Sequence, residues 1–240
     1  MGGFVMGISQ QIGASSQIKP GVCTSTTRPA SPYTGQVIFE TDTNKMLVWN
    51  TTAWVIPNSP AQNPGGLELI KTCTVTSVGG TAATASGGVV TIGTSNTSVT
   101  VENAFSANYD NYKIVMSGGT SSSQQPITLV IGGSTGTYYG GLVYANYSTG
   151  AVAGDAINNA SSFLYAGGAD INSLNVNLEL QSPFLAKYTN IQALTVGYAT
   201  VKGMAKGDHE TAASYTSFKL APFSGNFSGG IIRVYGYRNS

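Results

Sequence analysis

Charge is what this sequence has least of: Asp, Glu, Lys and Arg together make up 9% of its 240 residues, where about 25% is usual for soluble domains. The polar surface must therefore be built from hydroxyls and amides. With a net charge of +1, little electrostatic repulsion keeps copies of the chain apart. A subunit whose flanks meet other subunits fits this composition; a secreted, protease-resistant monomer is the alternative. The 11 Lys and Arg residues stand singly, with no basic stripe, which speaks against a nucleic-acid partner. No window approaches the run of about eighteen apolar residues that a membrane span needs, so no membrane insertion is expected. The opening MGGFVMGISQQIG lacks a basic start and a sustained apolar core, so no signal peptide is expected. Cys23 and Cys73 fall in segments assigned to different units, which predicts inert or buried thiols with no disulfide framework. Helical periodicity is also missing.

What is present is glycine, 31 residues, with serine, threonine and short β-branched runs. Residues 1–20 carry no clear period and end at Lys19-Pro20, which predicts an extended arm. Residues 21–56 read as a small β-hairpin unit: Val37-Ile38-Phe39 and Met46-Leu47-Val48-Trp49 are its strands, with turn chemistry at Asp42-Thr43-Asn44-Lys45. A lone hairpin is marginal in water, so Phe39, Trp49 and Trp54 are expected to be covered by partner chains, as oligomer or docking contacts. Residues 57–66, PNSPAQNPGG, read as a Pro and Gly linker. Residues 67–240 show about ten strand-like runs separated by Gly, Ser and Asn clusters. The clearest is 173–181, where Leu174, Val176, Leu178 and Leu180 alternate with polar residues and so point into a core. The fold class is all-β, a short arm and hairpin unit followed by a jelly-roll-like β-sandwich.

The stretch RPASPYTGQVIFETDTNKMLVWNTTAWV, residues 28–55, resembles an element that recurs in tail fibre and minor virion proteins of tailed bacteriophages. VENAFSANYDNYKIVMSG, 101–118, and the terminal GGIIRVYGYRNS resemble segments of the β-sandwich that follows it there. Together these stretches cover about a quarter of the chain. The resemblance implies a homotrimeric or otherwise symmetric virion part, made in a host bacterial cytoplasm. It would dock on other virion proteins through residues 1–56 and present a β-sandwich to a host cell-surface glycan or protein. A head or neck decoration protein without a receptor role is the alternative, and a glycan-cleaving tail enzyme a lesser one.

No catalytic, cofactor or metal site is expected. His209 is the single histidine, and no G-x-S-x-G elbow supplies it with a serine. Asp208-His209-Glu210 suggests a metal site only until strand alternation is considered, because successive side chains point to opposite sides; a polar turn at Gly207 is the expectation. Gly132-Gly133-Ser134-Thr135-Gly136-Thr137 lacks the lysine of a phosphate loop and reads as a turn between strands. Tyr138, Tyr139, Tyr144 and Tyr147 cluster beside Gly140-Gly141. They are the candidates for contact with a surface glycan, since tyrosine offers an apolar face with a polar edge; burial in a core or interface is the alternative.

Overall fold

Residues Ser173–Gln181 show why the chain folds in layers. In the computed structural model Leu174, Val176, Leu178 and Leu180 are all buried, while Asn175, Asn177 and Glu179 between them stay half-buried. A strand with one apolar side has to bury it on a second layer. The structure describes residues 20–57 and 66–238, and every helix or strand among them is a strand. The fold is all-β, as expected. The chain divides into two units, 1–63 and 64–240. Apart from Pro20, Pro57 and Gly66, the expected arm and linker lie outside the described residues.

The first unit is a four-stranded sheet of β1 (Gly21–Cys23), β2 (Val37–Glu40), β3 (Lys45–Trp49) and β4 (Trp54–Val55), in that order. The expected hairpin forms its centre. β1 adds in parallel to β2, and β4 adds antiparallel to β3. Asn44, at φ 54°, closes the hairpin in the left-handed conformation that asparagine tolerates. Pairing puts Ile38 opposite Leu47 on one face. Both are buried, as is Glu40, whose carboxylate is ion-paired to Arg28 of the preceding loop. On the opposite face Val22, Phe39 and Met46 make one cross-strand row, and Val37, Val48 and Val55 the next. All six are apolar; Val22 and Met46 are exposed and the other four half-buried.

The second unit begins with short strands: β5 (Leu67–Leu69), β6 (Thr74–Val78), β7 (Thr84–Ser86), β8 (Val89–Thr91) and β9 (Ser98–Glu102). Longer ones follow: β10 (Tyr109–Ser117), the short β11 (Thr120–Ser121), β12 (Gln125–Ile131), β13 (Tyr138–Asn146), β14 (Val152–Ala160) and β15 (Phe163–Asp170). The chain continues through β16 (Ser173–Gln181), β17 (Lys187–Tyr198), β18 (Val201–Ala213), β19 (Phe218–Pro222), β20 (Phe227–Ser228) and β21 (Ile231–Arg238). One layer runs β14–β13–β18–β17–β16–β10–β21, with β5 and β8 on the free edge of β21; the other runs β15–β12–β19–β9–β6. Setting aside the β17–β18 hairpin, each layer interleaves strands from both ends of the unit. β9 lies beside β19, then β12 and β15; β10 lies beside β16, with β13 and β14 beyond the hairpin. That is jelly-roll order with one hairpin inserted.

The two layers part at β16. One edge pairs with β10 along Val176–Gln181, while the other pairs first with β15, over Ser173–Val176, and then with β17, over Leu178–Gln181. Where β15 and β17 exchange places, a Cβ on Gly168 would lie 1.9 Å from the Gly197 carbonyl oxygen, so glycine is required for the close approach. Asn175 Nδ2 donates to the same carbonyl at 3.2 Å. Ile114, Ile127, Leu129, Leu178 and Phe218 are fully buried in the core.

Two of the long strands bury little of their length. In β14 only Ile157 is buried, and in β18 only Ala205 and His209. The expected polar turn at Gly207 is instead the interior of β18, paired with β13 on one side and β17 on the other. The glycine run at 132–137 does connect two strands, β12 and β13.

Candidate functional site

His209 sits fully buried in β18, its ring stacked on Tyr138 of β13 with centroids 4.3 Å apart and planes 16° from parallel. Its Nε2 meets the Tyr215 hydroxyl at 2.9 Å and its Nδ1 the Thr137 hydroxyl at 3.1 Å; that hydroxyl also meets Thr211 Oγ1 at 2.7 Å. Burial holds the imidazole below its ordinary pKa, favouring the neutral ring. Both nitrogens are engaged and closed to solvent, so the cluster orders the β13–β18 pairing. Asp208 and Glu210 point the other way, half-buried and exposed. Among the described residues no three His, Cys, Asp or Glu side chains are grouped to hold a metal.

The four expected tyrosines do not form one patch, because strand alternation separates them. Tyr138 is 0% exposed, and its hydroxyl accepts the Ile131 N–H at 2.7 Å. It belongs to the core, one of the two places expected for these tyrosines, and is closed to a surface ligand. Tyr139 is half-buried and lies opposite Asp208 in the ladder. Tyr147 is 65% exposed, with the Lys202 ammonium 5.6 Å from its ring centroid. Tyr144, half-buried against the core, joins Tyr165 and Tyr198 around Asp155. The Tyr165 hydroxyl donates to Asp155 Oδ2, which holds that carboxyl below its usual range, while burial and then the carboxylate raise the phenol. Next to this group Gln125, Pro126, Leu164, Tyr165, Tyr198 and Phe223 line a hollow of about 210 Å³. Sequence reading missed Tyr165, Tyr198 and Asp155 because they come from three separate strands.

Phe39, Trp49 and Trp54 are likewise divided. Phe39 lies on the apolar face of the first unit; Trp49 and Trp54 pair edge-to-face on the other, centroids 5.6 Å apart. Such a pair is worth about 0.5–1.5 kcal/mol beyond its buried area. Cys23 is half-buried in the first unit and Cys73 buried in the second, both as free thiols.

A second concavity lies on the outer face of β21, β10, β16, β17 and β18. Glu179, Gln181, Asn190, Gln192 and Lys206 line a hollow of about 300 Å³, and Glu179 and Gln181 are shared with an adjoining one of about 220 Å³ that reaches Asn111 and Tyr237. Glu179 Oε1 accepts the Tyr237 hydroxyl at 2.8 Å and lies 3.6 Å from Lys113 Nζ. Burial and then Glu179 push the Tyr237 phenol up to about 12. The only sequence signal for this groove is the polar half of the alternation at 173–181; its other walls come from residues far away in the chain. No family model matches the chain, and neither a characterised protein nor a solved structure matches it.

Proposed function

We propose that this chain is a non-enzymatic structural and binding protein of a tailed-phage virion. It serves as a tail-fibre or tail-tip component that assembles as a homotrimer through residues 21–56 and presents its jelly-roll unit to a host surface. The resemblance of residues 28–55 to the recurrent tail-fibre element supports the setting. The contrast between the two units carries the role: the first has a sheet face made only of Val22, Val37, Phe39, Met46, Val48 and Val55, whereas the second has an outer groove lined mainly by amide and charged side chains. An apolar sheet face suits burial between subunits, and a polar groove suits a soluble or cell-surface ligand.

Antibodies against residues 66–240 test this on intact particles. Gold label at the tail or its fibres agrees with the proposal; label on the capsid shell would make the chain a decoration protein, and absence from purified particles would remove it from the virion.

A further inference from the structure

We infer that the groove across β10, β16, β17 and β18 binds a saccharide, laid across the strands, with Gln181, Gln192 and Glu179 as its central contacts. The assignment rests on the binding role proposed above and gives it a site and a ligand class. Lys113, Glu179, Gln192 and Lys206 face one another in a single cross-strand row. Asn111, Gln181, Asn190 and Asp208 form the next.

Three features of these rows select the ligand. Carboxamides both donate and accept hydrogen bonds, which matches sugar hydroxyls, and four of the eight side chains are carboxamides. The two lysines are balanced by Glu179 and Asp208, so the groove lacks the excess of cations that a nucleic acid or polyphosphate requires. These strands also have ladder partners on both edges, leaving no free edge for a peptide to extend as a strand. The groove is pre-ordered, since Tyr237 and Lys113 hold Glu179 from two sides, and a fixed acceptor loses less conformational freedom on binding. At the usual strand spacing of about 4.8 Å, the five strands from β21 to β18 span about 19 Å, the length of a short oligosaccharide. By contrast, the outward rows of Thr74 with Glu102 and of Thr76, Thr100 and Lys219 on the other layer carry short hydroxyls with two charges and no carboxamide.

The test uses the full chain on an array of purified bacterial capsular and O-antigen polysaccharides together with neutral oligosaccharides, beside fluorescent labelling of a panel of bacterial cells. Wild type and Thr76→Ala should be retained on the same glycan, and Gln181→Ala/Gln192→Ala should bind it about tenfold more weakly with an unchanged thermal transition. Equal binding by the double variant, or no retained glycan, overturns the assignment. If wild type labels cells and the double variant labels them equally, the groove is wrong and the binding role stands. If wild type labels no cell, the binding role itself fails.

Discussion

Tyr138 and His209, 71 positions apart in the sequence, stack face to face at 4.3 Å inside the sandwich. The contact fixes the β13–β18 register from within and leaves the imidazole neutral, which makes stability depend on pH. The folded pKa is lowered by burial, so below the ordinary histidine value of about 6.5 the unfolded chain takes up a proton that the folded chain refuses. Stability is therefore complete above that value and is lost as pH falls from it toward the folded pKa, with a slope of up to about 1.4 kcal/mol per pH unit. The carboxyls of Glu40, Asp42, Glu68 and Asp155 are also lowered, but their loss belongs below about pH 4.5. Thermal unfolding of the second unit should weaken between pH 7.5 and 5.5 in wild type and change little in His209→Gln. Equal slopes in the two proteins would show that the ring is accessible.

Gly168 is the position where the two layers part, and Gly168→Ala should cost about 3 kcal/mol or more, because the added methyl meets backbone and no flexible side chain can yield. Gly136→Ala is the control: a Cβ there meets nothing within 4 Å, and the change should stay within about 0.5 kcal/mol. Chemical denaturation of both variants measures the difference. A small effect at Gly168 would mean that β15 and β17 can move apart.

How far the sequence discloses this molecule depends on which groups form each element. β16 was legible because its alternating leucines and valine are the core side chains themselves. β18 was not, since Gly203, Gly207 and several charged residues dilute its pattern and its place is fixed by backbone pairing on both edges. β14 has β13 as its one ladder partner and buries a single side chain. The tyrosines were visible as a cluster, but their division between inner and outer faces depends on register, so Tyr138 and Tyr144 turned toward the core and Tyr139 to the outer face beside Asp208. The groove was hidden for the same reason: Asn111, Glu179, Gln192 and Lys206 become neighbours only after three ladders have formed.

The two cysteines should differ in reactivity. Burial pushes the Cys73 thiol up to about 11, and since the thiolate is the reactive form, a disulfide reagent at pH 8 should leave it untouched in the folded protein. Cys23 is half-buried and should react. Native protein should release one equivalent and denatured protein two, with Cys23→Ser abolishing the native signal. A native signal that survives Cys23→Ser would show that the β5–β6 region opens readily.

The apolar face of the first unit leads to the last prediction. Val22 is 69% exposed and Met46 49%, and they lie on either side of Phe39 in one row. No charged residue shares that face in the paired strands, because Glu40 and Lys45 lie on the other. Burial of apolar area contributes about 25 cal/mol per Å², so copies meeting through six such side chains gain stability that a small sheet lacks alone. A charge placed there would have to be buried without a partner. Val22→Lys and Met46→Lys alter residues already exposed, so each subunit should still fold. Light scattering should give a trimer for wild type and a monomer for the double variant, with the thermal transition of residues 66–238 unchanged. Tyr33→Lys, 70% exposed in the loop before β2, should remain trimeric. A wild-type monomer at micromolar concentration, or a trimer that survives both lysines, would place subunit contact elsewhere or nowhere in this unit.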